Sequence, residues 1–237
     1  MAILDKDALS QLQEFCIAPI EKFRTLGWHL DNGGSHATLI PAPFGWETAP
    51  VLAVAHLDFV GSAPAPYSIE SGGDVVVSRA LDDRLGVFAL LDTIPKLLGN
   101  SQPYNILLTE NEETGKSSAR EFGMAIENNR YNWIFSMDRA GTDCAHYTFT
   151  DKPWLSQLQK AGWELSNGTY SCIAELDHWS TCAINFGVAY NSQHNDSCWA
   201  DLETYSNQAR RVTKFYMDNH MRKFAHKSEQ QKSNGGR

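Results

Sequence analysis

Short apolar runs that alternate with helical patterns limit the possible folds of this chain more than any other feature of its sequence. Runs rich in β-branched and other apolar residues predict strands. They lie at residues 36–40, 51–55, 75–78, 104–109, 133–137, 147–150 and 185–190. Strands and helices that alternate along a chain favour a layered α/β domain with a mostly parallel sheet.

Several segments between and around these strands have the residue spacing of helices. They are residues 1–15, 82–98, 117–129, 153–163, 174–183 and 196–224. Within the second of these, apolar side chains recur at helical intervals from Val87 to Leu98. Pro95 lies inside this segment, and because proline cannot donate a backbone hydrogen bond we expect it to kink or shorten the helix.

The length and composition of the chain suit one packed domain. Its 237 residues are 42% hydrophobic, which is sufficient for a large core. We expect residues 1–226 to form a single domain. The polar, glycine-rich residues 227–237 predict a disordered tail.

Charge and cysteine usage exclude several classes of protein. Lys and Arg total 20 against 28 Asp and Glu, and the net charge of −8 argues against a nucleic-acid partner. No apolar stretch approaches the roughly 18 residues of a membrane span, and the N-terminal segment lacks the pattern of a signal peptide. The five cysteines form no C-x-x-C pair, which argues against a disulfide framework. We therefore expect a cytoplasmic protein with no membrane partner.

Histidines and carboxylates follow the apolar runs at the points where the predicted strands end. In open α/β sheets, ligands bind beyond the carboxyl ends of the strands, so these residues are the candidates for a functional site. An Asp pair also begins the helix that follows the run at 75–78. The candidates are, in chain order, His56, Asp58, Asp82, Asp83, Glu112, Glu113, Asp138 and His194. Their shared position predicts that they converge on one rim of the sheet.

The residue types and their spacing suit a metal centre. Residues i and i+2 of a strand lie on the same face, so the Asp58 carboxylate is expected to accept a hydrogen bond from the His56 imidazole. Adjacent Glu112 and Glu113 point in different directions, so one can bind a metal while the other acts as a general base. A single Asp carboxylate, either Asp82 or its neighbour, can bridge two cations. Nitrogen and oxygen ligands without thiolate suit Zn²⁺, with Co²⁺ or Mn²⁺ possible.

The segments AHLDFVG, ALDDRLG, LLTENEETG and SMDRAG, with the later His194, resemble the co-catalytic two-zinc exopeptidase superfamily. That superfamily includes bacterial leucine-type aminopeptidases, tetrahedral aminopeptidases with a DDR motif, and tripeptidase and carboxypeptidase relatives. The resemblance spans roughly residues 51–194 in the order of the family's motifs. It implies a three-layer α/β sandwich of the phosphorylase/hydrolase-like type, with a mostly parallel mixed sheet flanked by helices.

The resemblance also assigns a role to each candidate. The first Asp of the pair bridges two zinc ions in the family, which selects Asp82 over Asp83. His56 and Asp138 would complete one zinc site. Glu113 and His194 would complete the other, while Glu112 acts as the base and Asp58 supports catalysis beside His56. An Asp at the position of Asp138 is typical of the aminopeptidases.

The implied activity is hydrolysis of a peptide or aminoacyl substrate, most simply by an aminopeptidase. A carboxypeptidase or an N-acyl amino acid deacylase is the alternative within the same chemistry. A non-catalytic metal-binding module is the alternative from another class. Retention of Glu112 together with every ligand argues against that module.

Several departures from the family's pattern concern the substrate pocket. The intervals from Asp58 to Asp83 and from Asp138 to His194 are too short for the inserted lid or dimerisation domain of several relatives. Cys172 stands where relatives commonly carry an Asp that shapes the pocket, so Asp177 or Glu175 is the candidate replacement. The aromatic residues nearest to the site in sequence, Tyr190 and Trp199, are further candidates for substrate binding.

The remaining histidines have simpler interpretations. We expect His29, His36, His220 and His226 to be surface residues. Asp177, His178 and Ser171 contain the residue types of a serine triad, but the sequence has no G-x-S-x-G elbow to position a nucleophilic serine.

Overall fold

The computed structural model describes residues 4–45, 47–70, 73–125 and 130–227. The tail predicted at residues 227–237 lies outside the described residues except for Lys227. Among the helices that the structure describes, none has both the length and the apolar character needed to cross a membrane.

Two sheets form the centre of the fold. The strands are β1 Trp28–Asn32, β2 Ser35–Ile40, β3 Val51–His56, β4 Ser68–Ile69, β5 Val75–Val77, β6 Asn105–Thr109, β7 Trp133–Arg139, β8 Cys144–Ala145, β9 Leu165–Ser166, β10 Ala183–Gly187, β11 Tyr190–Asn191 and β12 Trp199–Asp201. Eight strands form one sheet in the order β1-β2-β6-β3-β7-β10-β8-β9, and four form a smaller sheet in the order β11-β12-β5-β4. The neighbours β6, β3, β7 and β10 are parallel, whereas β1, β2 and β8 pair in the antiparallel direction.

Helices flank the large sheet. They are α1 Lys6–Ile17, α2 Ile20–Arg24, α3 Leu81–Phe88, α4 Ile94–Leu97, α5 Ala119–Ala125, α6 Lys152–Lys160 and α7 Leu202–Asn219. Helix α3 packs on β3 and β7, whereas α5 packs on β2 and on a 3₁₀ segment at Cys172–Leu176. The predicted mostly parallel, mixed α/β sheet flanked by helices is confirmed.

The central strands consist mainly of apolar residues because both of their faces are covered. Every residue of β3, β6 and β10 is buried. Burial on both faces is typical of parallel strands between helical layers. This arrangement places the carboxyl ends of β3, β6, β7 and β10 along the same edge of the sheet.

Some predicted elements are wrong. Residues 147–150 form a turn in which Tyr147 has φ of +50°, and the nearby strand is β8. The helix predicted from residue 196 starts only at Leu202, because β12 pairs with β5 through Trp199 and Val77. The predicted interruption near Pro95 is present as a π-helical segment, Ala89–Thr93, and its wider turn accommodates a residue that cannot donate a backbone hydrogen bond.

His226 is buried, so its predicted position at the surface is wrong. The end of the described chain runs beside the amino-terminal ends of β7 and β10. Phe224 donates its N–H to the carbonyl of Asn132 at 2.8 Å, and Cys182 donates to the carbonyl of Phe224 at 2.9 Å. These backbone bonds hold the segment against the sheet, and the His226 side chain is fully buried.

Candidate metal centre

The first group of candidate ligands lies where β3, β7 and α3 meet. His56 ends β3, Asp138 lies near the end of β7, and Asp82 lies in the first turn of α3. The Nε2 atom of His56 is 3.3 Å from Oδ1 of Asp82 and 3.4 Å from Oδ1 of Asp138. All three side chains are nearly inaccessible to solvent.

The second group shares Asp82 with the first. Nε2 of His194 is 3.1 Å from Oδ2 of Asp82 and 3.2 Å from Oε2 of Glu113. The two oxygens of one carboxylate therefore face two different histidines. Ligands about 2.0–2.2 Å from a tetrahedral cation lie roughly 3.3 Å from one another, so both groups have the spacing of atoms around a cation.

Asp58 contacts the centre differently from the prediction. Nδ1 of His56 is 2.9 Å from the backbone carbonyl of Asp58 but 3.7 Å from its carboxylate, so the predicted side-chain hydrogen bond is absent. The carboxylate instead accepts hydrogen bonds from the backbone N–H groups of Glu112, at 3.2 Å, and Glu113, at 3.1 Å. Asp58 thus orients the His56 ring with its main chain and holds the glutamate loop with its side chain.

Glu112 lies beside both groups without belonging to either. Its Oε2 is 3.9 Å from Nε2 of His56. Burial raises the pKa of Glu112 to about 8, and the carboxylates of Asp138 and Glu113 add to the shift although His56 opposes it. A carboxyl group with a pKa near neutrality can both accept and return a proton.

Burial and mutual repulsion also shift the neighbouring acids. Burial raises the pKa of Glu113 to about 7, with the Asp82 charge acting in the same direction. Burial raises the pKa of Asp138 to about 6 against the opposing effect of His56. Four carboxylates crowded in this way carry more negative charge than two histidines offset, which is the electrostatic signature of a cation site.

Two residues support the centre: Asn185, which is not among the sequence candidates, and Asp83, which the sequence offers only as an alternative bridging ligand. Asn185 holds the backbone of Asp138 on both sides, because its Oδ1 accepts from the N–H at 2.9 Å and its Nδ2 donates to the carbonyl at 3.0 Å. Asp83 accepts the backbone N–H of His56 at 3.2 Å, so it supports this histidine from within the core. A polar residue inside the apolar run of β10 was the available signal for Asn185.

A cavity of about 550 Å³ opens over the two groups. Tyr190 lines it and donates a hydrogen bond to Oδ1 of Asp138 at 3.4 Å. The described lining does not include Asp177, Trp199 or Glu175, which corrects their predicted place near the substrate. Asp177 bonds to Thr148 and His226, whereas Trp199 belongs to β12 of the smaller sheet.

The family comparison covers this same region of the chain. The model of the M42 glutamyl aminopeptidase family matches residues 47–143, which include His56, Asp82, Glu113 and Asp138. This part of the chain is similar to the M42 aminopeptidases. No curated protein sequence matches it.

Solved peptidase structures share the fold of this chain. A tripeptidase from Staphylococcus aureus superposes with a TM-score of 0.63 at 11% identity, over 90% of this chain and 98% of that one. Aminopeptidase PepT from Bacillus cereus has a TM-score of 0.62 at 11% identity over the same shares. A TET aminopeptidase from a marine-sediment archaeon of the Thaumarchaeota has a TM-score of 0.61 at 12% identity, over 88% and 95%. At these identities the likeness establishes the fold.

The match to the M42 family also indicates the class of protein to which this chain belongs. The chain is a hydrolase of the metallo-aminopeptidase type, as the sequence predicted. M42 peptidases depend on metal ions. The residues of this chain fit that requirement, since His and carboxylate ligands converge in two groups and Oε1 of Glu113 is buried with no hydrogen-bond partner in the described structure.

A further histidine cluster lies away from the candidate metal centre. We call it the His226 cluster; it consists of Asp151, Asp177, Cys182 and His226. Nδ1 of His226 is 2.8 Å from Oδ2 of Asp151, and Nε2 is 2.8 Å from Oδ1 of Asp177. Asp151 is the N-cap residue of α6, yet its side chain makes no capping bond because it faces His226.

Proposed function

We propose that this chain is an aminopeptidase that removes the first residue of a peptide with two zinc ions. The observation that carries the proposal is the shared Asp82 carboxylate, which directs one oxygen toward His56 and the other toward His194. A carboxylate whose two oxygens face two different ligand groups is placed to bridge two adjacent cations. Nitrogen and oxygen donors suit zinc, and Co²⁺ or Mn²⁺ could use the same ligands.

The geometry supports a ligand assignment. His56 and Asp138 would hold one ion, and His194 and Glu113 would hold the other. Asp82 would belong to both sites. When bound, the two cations supply a water whose pKa is lowered toward about 7 and polarise the scissile carbonyl.

The protein's own residues would then move the proton. Glu112 lies within reach of both groups and outside their ligand sets, so it is placed to take a proton from the water. The same carboxyl group would return that proton to the leaving amine. Asn185 and the backbone carbonyl of Asp58 act as positioning groups, because they fix Asp138 and His56.

The M42 match and the aspartate at position 138 support an aminopeptidase over its relatives. One observation favours an N-acyl amino acid deacylase as the second candidate. Every carboxylate in the described lining of the cavity belongs to the metal centre or is Glu112, and Cys172 is buried against Thr109 at 2.9 Å. No separate carboxylate in that lining is thus available for the free amine of a peptide.

A comparison of free and blocked substrates tests the proposal. Zinc-loaded protein is incubated with leucyl-p-nitroanilide and with N-acetyl-leucyl-p-nitroanilide, and with acetyl-leucine for deacylation. Chelator-sensitive cleavage of the free substrate alone is the expected result. Deacetylation alone would favour the deacylase, and bound metal without turnover on any of the three would favour the non-catalytic module.

A further inference from the structure

Arg139 adds a positively charged side chain to the lining of the cavity. It directly follows the candidate ligand Asp138, and among the described residues of the lining it is the one Lys or Arg. A guanidinium beside a hydrolytic centre could receive the carboxylate of an acidic substrate. Whether it does so depends on what already occupies its donors.

Asp143 occupies the guanidinium of Arg139. Nε of Arg139 donates to Oδ1 at 2.7 Å, and a terminal nitrogen donates to Oδ2 at 2.8 Å. This is the two-bond geometry in which an arginine and a carboxylate interact most strongly. A substrate carboxylate would have to displace a partner that is tethered four residues away.

The main chain holds this pair in place. The Asp143 carbonyl accepts the N–H of Gly187 at 2.8 Å, and the Arg139 carbonyl accepts the N–H of Val188 at 2.9 Å. A Cβ on Gly187 would lie 2.4 Å from the carbonyl oxygen of Gly141, so the turn between the two charged residues packs tightly against the end of β10. The backbone positions of Asp143 and Arg139 are therefore fixed, which keeps the two side chains within bonding distance of each other.

Several other side chains of the described lining are neutral, and their polar groups are already hydrogen-bonded. The hydroxyl of Tyr147 bonds to Asn185 at 3.0 Å, and that of Tyr170 accepts the N–H of Ser117 at 2.9 Å. Thr169 and Gln193 are further neutral residues of the described lining. Apart from the candidate metal ligands and Glu112, the described lining is uncharged or internally neutralised.

We propose that Asp143 is a specificity-determining residue that masks Arg139, so that the cavity selects substrates with an uncharged side chain beside the scissile bond. This inference rests on the proposed aminopeptidase function. It also sets the chain apart from the acidic preference that the name of the matching glutamyl family denotes.

The test compares glutamyl- and leucyl-p-nitroanilide on the zinc-loaded protein. We expect the wild type to prefer the leucyl substrate in kcat/KM. The Asp143→Asn variant frees the guanidinium, and the glutamyl-to-leucyl ratio should rise about tenfold or more, since hydrogen bonds between charged groups are among the strongest. Asp218→Asn removes the same charge from an exposed pair with Lys214 and should leave the ratio unaltered.

A double variant separates masking from direct recognition. Arg139→Gln with Asp143→Asn removes both charges, and the ratio should return to within about threefold of the wild type. A wild-type preference for the glutamyl substrate would overturn the proposal. So would a ratio that Asp143→Asn leaves unchanged, or one that falls tenfold in the double variant.

Binding of amino-acid hydroxamates gives a readout that needs no turnover. Calorimetry measures the affinities of the same proteins for leucine α-hydroxamate and glutamate α-hydroxamate. The glutamate-to-leucine affinity ratio should rise in Asp143→Asn and return toward the wild-type value in the double variant. If neither nitroanilide is cleaved, the aminopeptidase function fails. The hydroxamate ratios then still decide whether Asp143 masks Arg139, with an unchanged ratio in Asp143→Asn overturning it.

Discussion

The metal centre and the His226 cluster contain similar residues in different geometries. At the metal centre, Nε2 of each histidine faces two carboxylate oxygens at 3.1–3.4 Å. In the His226 cluster, each ring nitrogen faces one carboxylate at 2.8 Å. The longer distances suit atoms arranged around a cation, whereas the shorter ones are those of charge-assisted hydrogen bonds.

The two clusters also occupy opposite ends of the same strands. The carbonyl of Cys182 accepts the N–H of Ile134 at 3.0 Å, near the start of β7. Asp138 lies four residues further along this strand, about 13 Å away. The carboxyl end of the sheet thus carries the candidate metal centre, and the amino end uses the same types of side chain to hold the last described segment of the chain.

Replacing the proposed base should have the largest effect and act on the metal centre alone. The Glu112→Gln variant keeps the shape of the side chain but cannot accept a proton, so kcat should fall by about 10²–10⁴-fold. Metal content, measured by mass spectrometry of the dialysed protein, should match that of the wild type. Glu113→Gln is the matched control, because loss of a ligand there should lower the metal content. Metal loss in Glu112→Gln itself would mean that the two glutamates are assigned in reverse.

Removing His226 should affect stability and leave the metal centre intact. The His226→Ala variant leaves the carboxylates of Asp151 and Asp177 without their partner, at a cost of about 2–3 kcal/mol in the free energy of unfolding. Denaturant titration measures this loss, and the exposed His29→Ala serves as the control. A drop in metal stoichiometry in the His226→Ala protein would show that this cluster also holds an ion.

The metal affinity of the candidate centre should rise with pH. In the metal-free protein, burial raises the pKa of Glu113 to about 7, and the bond to Asp82 raises that of His194 to about 8. Both groups must lose a proton to bind a cation, so raising the pH from 6 to 8 removes the competing protons. The affinity should increase about tenfold per pH unit for each proton displaced. Calorimetry in buffers of different ionisation enthalpy measures the proton count, and a pH-independent affinity would contradict the assignment.

The parts of the fold that the sequence predicts are those fixed by local pattern. Strands β3 and β6 are unbroken apolar runs, and their boundaries agree with the predicted ones within one residue. Strand β8 spans two residues and has no periodicity to detect. Strand β12 forms only because a distant partner, β5, lies beside it. Pairing between distant segments is absent from any short window of sequence.

The same distinction applies to the site. Ligands that follow strands, such as His56 and Asp138, are placed by the general rule for parallel sheets. That rule does not predict where loop residues lie. Asp177 and Trp199 are near the candidate ligands in sequence, but they do not line the cavity in the described structure. The position of His226 close to the end of the chain predicts a surface residue, whereas backbone bonds to the starts of β7 and β10 bury it.

The central claim is that one carboxylate, Asp82, joins two ligand groups into a two-ion centre. Crystals of the zinc-loaded protein, measured at the zinc absorption edge, test it most directly. We expect two anomalous peaks on either side of Asp82, one beside His56 and Asp138 and the other beside His194 and Glu113. A single peak at saturating zinc, or peaks that do not adjoin Asp82, would contradict the account.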